Sequence, residues 1–343
     1  MKMSIKKLSE LSGFSPATVS NALNGKRGVS AETAEKIQRL AQEYGYQGAG
    51  AEERVEKLAD GGRIRVVTYR ESGKVFSDSP FFSFLLEGVE NECHAQGYET
   101  AVVNLYRHQA DYEDRVADLL ADRETGILLI GTELTEETAQ PFAEADAPLV
   151  LVDAWFDRVP FNAVLMDNEA SVARAVEYLI ANGHERIGYL KSNVSISNFE
   201  RRGEGWQRTL EAHGLPVEDR YIFRVPPSIV GACEGMRHAL DEGRELPTAF
   251  FADNDMIALG VMQTLQARGL RIPEDISIVG FDDITFSEAF TPGLTTVRVA
   301  KKELGRIAVR RLLETMRYPS DVHTRIQLVN DLVIRGSVAA LKK

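Results

Sequence analysis

Asp282 and Asp283 stand side by side. Two neighbouring carboxylic acids are the equipment of glycoside hydrolysis, one giving a proton while the other acts as base or nucleophile. Nothing else in the chain completes such an enzyme. There is no G-x-S-x-G elbow, no G-x-x-x-x-G-K-[ST] loop and no H-E-x-x-H helix, and the six histidines (His94, His108, His184, His213, His238, His323) are scattered. His184, in a Gly-His phrase before an expected strand, reads as a structural loop residue. These acids are therefore expected to accept hydrogen bonds rather than to catalyse, and no catalytic residue is assigned. Cys93 and Cys233 lack C-x-x-C spacing and read as two reduced, buried thiols, with no disulfide framework, metal or cofactor. A different chemistry is offered by Ala17, Thr18, Ser20 and Asn21. They are small or polar at one side of a short helical stretch, where an ordinary solvated face would carry Lys and Glu. Such a face suits a groove lined with hydrogen-bonding edges.

The elements that must carry that face are three short helices. Ile5, Leu8 and Leu11 recur at i, i+3, i+6 and predict one apolar face of a first helix, which Gly13 ends. Ser15 is an N-cap with Pro16 at the first helical position, and Val19, Ala22 and Leu23 turn inward from a second helix. A basic loop, Asn24-Gly25-Lys26-Arg27-Gly28, follows. Ser30 then caps a third helix with Ala34, Ile37, Leu40, Ala41 and Tyr44 on one side and Gly45 as its stop. Two short helices across a tight turn, braced by a third, make a helix-turn-helix. Charge agrees: residues 1–48 hold seven basic and four acidic side chains, +3 against −14 for the remainder of a chain at −11. A basic end on an acidic body fits DNA binding by the end alone.

The wording of the segment is specific. Ile5-Lys6-Lys7-Leu8-Ser9-Glu10-Leu11-Ser12-Gly13-Phe14-Ser15-Pro16-Ala17-Thr18-Val19-Ser20-Asn21-Ala22-Leu23-Asn24-Gly25, then Val29-Ser30-Ala31-Glu32-Thr33 and Tyr44-Gly45-Tyr46, closely resembles the headpiece of the lactose-repressor/galactose-repressor family. By position, the resemblance implies that Thr18, Ser20, Asn24, Ser30, Thr33 and Tyr46 approach phosphates while Pro16, Ala17 and Asn21 face base edges. Many members have Arg where this chain has Asn21. Arg pairs with guanine and Asn with adenine, so a different half-site is expected at that base pair. After Tyr46 the family continues into a hinge helix that wedges a Leu into the minor groove. Here Gln47-Gly48-Ala49-Gly50-Ala51-Glu52-Glu53-Arg54-Val55-Glu56-Lys57-Leu58 predicts a flexible, partly helical linker instead.

From Ile64 onward, short apolar runs alternate with longer amphipathic stretches, the signature of a parallel α/β fold. Strands are expected at Ile64–Tyr69, Thr100–Asn104, Gly126–Ile130, Leu149–Asp153, Arg186–Leu190, Ala249–Ala252 and Ser277–Phe281. Helices between them end at Gly97, Gly183 and Gly269. Two runs of such units suggest two lobes with a cleft beyond the carboxyl ends of their strands. Phrases such as Gly183-His184-Glu185-Arg186-Ile187, Arg202-Gly203-Glu204-Gly205-Trp206 and Ile276-Ser277-Ile278-Val279-Gly280-Phe281-Asp282-Asp283 extend the resemblance along the chain.

It implies an all-α headpiece at residues 1–47, a linker at 48–62, and a periplasmic-binding-protein-like core at 63–343. The N-terminal lobe of that core is expected at about 63–157 and 298–320, and the C-terminal lobe at about 158–297 and 321–343. Asp153, Arg202, Asn254 and Asp282 match family positions that contact ligand, and together they suit a polyol: carboxylates accept from hydroxyls while Arg and Asn donate. Phe81 and Phe82 supply an apolar wall. Asp255 and Asp283 read as helix or turn caps.

The expected protein is a cytoplasmic, ligand-responsive DNA-binding repressor without catalytic activity. It binds a pseudo-palindromic operator as a homodimer, because Val338-Ala339-Ala340-Leu341-Lys342-Lys343 lacks a leucine heptad that would build tetramers. A sugar is the expected effector and a purine-type ligand the alternative. The absence of a signal-peptide pattern and of any run of about 20 apolar residues argues against the remaining rival, a periplasmic sugar-binding protein, and against a membrane partner.

Overall fold

Helix capping and a small shared core account for the N-terminal helices. The computed structural model describes residues 5–23, 29–43, 62–76 and 79–341, and the chain divides into two units between Gly61 and Gly62. In the first unit, α1 (Ile5–Ser12), α2 (Pro16–Leu23) and α3 (Ala31–Glu43) surround buried Leu8, Val19, Ala22, Ile37 and Ala41. Ser15 Oγ accepts the Thr18 N–H (3.1 Å) at the start of α2, and Ser30 Oγ accepts the Thr33 N–H (3.2 Å) at the start of α3. The turn between α1 and α2 needs Gly13, whose φ is +75° and whose N–H donates to the Ser9 carbonyl. Leu11 departs from expectation, being 47% exposed, while Ser12 is buried. The reason is angular: at about 100° per residue, position 12 lies almost in line with Ile5, whereas position 11 is turned about 120° away. The linker expected at 48–62 lies outside the described residues as far as Gly61.

The second unit is two parallel sheets, each with helices on both faces. The first sheet runs β11-β5-β4-β3-β1-β2 and the second β12-β10-β9-β8-β6-β7. Its strands in chain order are β1 (Arg63–Arg70), β2 (Glu99–Tyr106), β3 (Gly126–Ile130), β4 (Leu149–Val152), β5 (Ala163–Met166), β6 (Ile187–Ser192), β7 (Ile222–Val225), β8 (Ala249–Ala252), β9 (Ser277–Asp282), β10 (Thr295–Arg298), β11 (Arg325–Leu328) and β12 (Asp331–Val333). The helices that position the cleft are α4 (Phe81–Ala95), α5 (Tyr112–Ala121), α6 (Glu136–Ala143), α7 (Asn168–Ala181), α8 (Ser197–Ala212), α9 (Ile229–Asp241), α10 (Asp255–Ala267), α11 (Thr285–Ala289) and α12 (Lys301–Arg317). Among the described strands only β10 and β12 pair antiparallel. Strands such as β3, β4 and β8 are buried along their whole length, which is why they read as continuous apolar runs rather than alternating ones.

The lobes exchange chain later than the sequence suggested. β5 pairs with β4 and β11 in the first sheet, so the lobe boundaries expected near residues 158 and 321 move to the ends of β5 and β11. Asn162 explains the placement. Its Oδ1 accepts from the Arg311 guanidinium on α12 (2.7 Å) and from the Thr324 N–H (3.1 Å), pinning the start of β5 between α12 and β11. The chain therefore crosses between lobes three times, after Met166, after Arg298 and after Leu328. On the first lobe, α4 and α12 lie in backbone contact. A Cβ on Gly88 would sit 2.1 Å from the Lys302 carbonyl oxygen, and one on Gly305 would sit 2.4 Å from that of Leu85.

Candidate functional site

The carboxyl ends of the strands of both lobes meet around one small cavity lined by all six expected ligand residues, Phe81, Phe82, Asp153, Arg202, Asn254 and Asp282. Asp153 follows β4 with φ at +63°, a conformation rare outside glycine. Its carboxylate accepts from Thr132 Oγ1 (2.5 Å) and from Asn198 Nδ2 (3.0 Å), which also donates to the Asp153 carbonyl (2.9 Å). Asn198 lies on α8 in the second lobe, so this pairing crosses the cleft. Burial pushes the Asp153 carboxyl up to about 6, with the Thr132 hydrogen bond and the Arg202 charge opposing.

Arg202 is the hub of the second lobe. It is 3% exposed, stacks on the Phe281 ring at 3.7 Å, and lies 3.8 Å from the Asp282 carboxylate. Its Nε donates to Asn168 Oδ1 (2.8 Å) and its Nη1 to the Asp253 carbonyl. Asn168 Nδ2 in turn donates to Asn198 Oδ1 (2.9 Å). A continuous chain of hydrogen bonds thus runs from Arg202 through Asn168 and Asn198 to Asp153 and Thr132, every member satisfied by a neighbour. Burial raises the Asp282 carboxyl, opposed by the charges of Arg202 and Lys301. Phe81 and Phe82 form the apolar side, edge to face at 5.2 Å, with Phe76 stacked on Phe82 at 4.0 Å.

One neighbouring residue gains a second role and two expectations, for Asp255 and Asp283, change. Asn254, besides lining the cavity, is itself the cap of α10: its Oδ1 accepts the Ile257 N–H (2.9 Å), leaving the amide nitrogen as its group for a ligand. Asp255, expected as a cap, is a fully buried staple that accepts from the Ile284 N–H (3.0 Å), Ser287 Oγ (2.6 Å) and Thr296 Oγ1 (2.5 Å). Burial and the neighbouring Asp282 push it up to about 7. Asp283 is held as an ion pair by Arg298 and Arg335, each at 2.7 Å, with no capping role. His184 is structural, bridging Thr248 Oγ1 and the Ala339 carbonyl at 3.1 Å each. Of the two thiols expected to be buried, Cys93 is, whereas Cys233 is only half-buried. Among the described residues no group of three or more His, Cys, Asp and Glu is placed to hold a metal, and no helix is long and apolar enough to cross a membrane.

In the N-terminal unit, α2 turns Val19 and Ala22 inward and leaves Pro16 and Ala17 exposed, with Thr18, Ser20 and Asn21 half-buried on its outer side. Ser30 and Thr33 sit at the start of α3. Asn24 and Tyr46 lie outside the described residues. This is a helix-turn-helix whose second helix has a polar outer face, and it precedes a two-lobed, cleft-bearing body in one chain.

Comparison with known proteins bears on both parts. Residues 4–48 match the model of bacterial regulatory proteins of the lacI family, and residues 176–338 match the periplasmic binding protein-like domain. The HTH-type transcriptional repressor PurR of Vibrio atlanticus (strain LGP32) is 31% identical over 98% of this chain and 99% of its own length. The chain belongs to the lacI family. Another relative, the ribose operon repressor of Haemophilus influenzae (strain ATCC 51907 / DSM 11121 / KW20 / Rd), is 29% identical, covering 98% of this chain and 99% of that protein. The lac repressor dimer bound to operator and the anti-inducer ONPF superposes with a TM-score of 0.72 at 26% identity, over 99% of this chain and 100% of that one. The complex of the transcriptional regulator CelR with cellobiose does so with a TM-score of 0.71 at 25% identity, over 98% and 100%.

The cleft of this lacI-family chain holds more than the resemblance supplied. Thr132, Asn198, Phe199, Ile196 and Met166 also line it and were not singled out from sequence. Thr132 was the most accessible of these, because it stands just past the end of an expected strand, where ligand-facing residues collect. Asn198 carried no such signal; its role exists only through its contact with Asp153.

Proposed function

We propose that the chain is a ligand-responsive, sequence-specific DNA-binding transcriptional repressor of the cytoplasm. It binds a pseudo-palindromic operator as a dimer, its affinity set by a small uncharged polyol, a sugar above all, held between the lobes. The observation that carries the reading is the convergence of Asp153, Arg202, Asn254 and Asp282 on one buried cleft behind two aromatic rings. Carboxylates only accept hydrogen bonds when ionised, so two of them facing the same space call for a ligand rich in hydroxyl donors. Among the described residues the sole guanidinium lining the cleft, that of Arg202, is already bonded to Asn168 and Asp253, which disfavours an anionic ligand. The cleft then works by binding alone: a ligand with different affinity for two lobe arrangements shifts their populations and hence operator occupancy.

Two measurements test this. Selection of random duplexes by the full chain at physiological salt is expected to return a two-fold-symmetric motif with half-sites about one helical turn apart; an unenriched pool would sink the operator reading. Titration calorimetry against neutral monosaccharides, their phosphates and purine bases is expected to give binding for a neutral sugar. The aromatic wall of Phe81, Phe82 and Phe199 supports a planar purine base as second reading, and binding confined to the purines would select it.

A further inference from the structure

We propose that Lys301 is the positioning residue that ties the two walls of the cleft together, fixing Phe81 of the first lobe against Asp282 of the second. The proposal rests on the reading of this cleft as the effector site. Lys301 opens α12 and is 7% exposed. Its ammonium donates to the main-chain carbonyls of Asp282, of Asp283 (3.1 Å) and of Val299 (3.3 Å). Among the described residues it forms no ion pair with a carboxylate. It also lies 6.0 Å from the centre of the Phe81 ring. A buried ammonium whose hydrogen-bond acceptors are all backbone is costly and is retained where it holds a conformation that nothing else would hold. Burial lowers its pKa, opposed by the charges of Asp282, Asp255 and Asp283.

What it holds is unusual. Asp282 and Asp283 both have positive φ, +116° and +54°, and two consecutive non-glycine residues in that region need an external constraint. The turn they make is what aims the Asp282 carboxylate at the cavity and at Arg202. On the other side, α12 and α4 touch backbone to backbone at Gly88 and Gly305, and α4 begins with Phe81. Lys301, α12, α4 and Phe81 therefore move as one body, and the two bonds to the Asp282 and Asp283 carbonyls couple that body to the Asp282 turn. A ligand that displaces the turn must displace the aromatic wall with it.

Hydrogen–deuterium exchange of the ligand-free, full-length protein tests this by comparing the wild type with Lys301→Met and Lys301→Gln. Both variants are expected to speed exchange in two segments from opposite lobes, residues 281–285 and 80–84, more in the Met variant than in the Gln variant, with β8 unchanged. A response in only one of the two segments, or in neither, overturns the proposal. Should the Met variant fail to fold, the Gln variant is judged on the same two segments. No ligand enters the measurement, so failure of the effector reading is seen separately, in the calorimetry.

Discussion

At the scale of single residues, the cleft depends on side chains whose charge state burial has altered. Asp255 keeps its proton in the folded protein up to about pH 7, whereas an unfolded aspartate loses it near pH ~3.9. Between those values the native state binds more protons, so this group's contribution to stability falls as pH rises through the window. The buried His184, whose pKa is lowered by burial, acts oppositely at the acid end, so the test is a difference. Urea unfolding of wild type and Asp255→Asn between about pH 4 and pH 7 should show the wild type losing more of its advantage as pH rises, and parallel curves would contradict the assignment. Removing Arg202 strands the buried Asp282 carboxylate, and Arg202→Met is expected to cost about 3 kcal/mol, measured by the same unfolding. At the DNA, Asn21→Arg should move preference from adenine toward guanine at one position by about 1–3 kcal/mol; an unchanged selected motif would refute the assignment of that base. Asp153, Arg202, Asn254 and Asp282 were legible as cleft residues because their positions match a family pattern, and Phe81 and Phe82 because an aromatic pair can supply an apolar wall. The positive φ of Asp153, Asp282 and Asp283 was not, because sequence rules assign that region to glycine and here tertiary bonds hold aspartates in it.

At the scale of elements, helix ends and helix contacts carry the predictions. Ser15→Ala removes the side chain that accepts the Thr18 N–H and is expected to cost the N-terminal unit about 1 kcal/mol, visible as weaker operator binding with ligand binding unchanged. Gly305→Ala would drive a methyl group into the Leu85 carbonyl and the Val89 N–H. Neither is the end of a flexible side chain, so a loss of about 1–3 kcal/mol is expected, and an unaltered urea midpoint would mean that α4 and α12 can slide apart. The seven expected strands are present, as are the glycine stops at Gly97, Gly183 and Gly269. β5, β7, β10, β11 and β12 were not read from sequence. β4 and β8 are as short but read as continuous apolar runs, whereas β7, β10, β11 and β12 are interrupted by Arg, Thr, Gln or Asp, and β11 and β12 lie at sheet edges.

At the scale of the whole molecule, a chain of net charge −11 is expected to meet DNA through its basic end alone, and a single copy of that end holds too few cations to bind tightly. Size-exclusion mass at micromolar concentration is expected to correspond to a dimer; a monomer or a tetramer would contradict the proposed operator reading by a dimer. Two lobes, each with its own sheet, were expected, but the points where the chain changes lobes were placed too early, since a four-residue strand such as β5 declares its sheet only through its partners. Those crossings bear on how the protein is made. The first lobe's sheet is finished by β11, among the last strands the ribosome releases, after nearly all of the other lobe has emerged. Neither lobe corresponds to an uninterrupted stretch of the gene. A nascent chain arrested before Arg325 exposes β5 as an unpaired edge, so chaperone capture and aggregation during synthesis should centre on that strand, and a gene fragment meant to supply one lobe must splice in the returning segments of the other end.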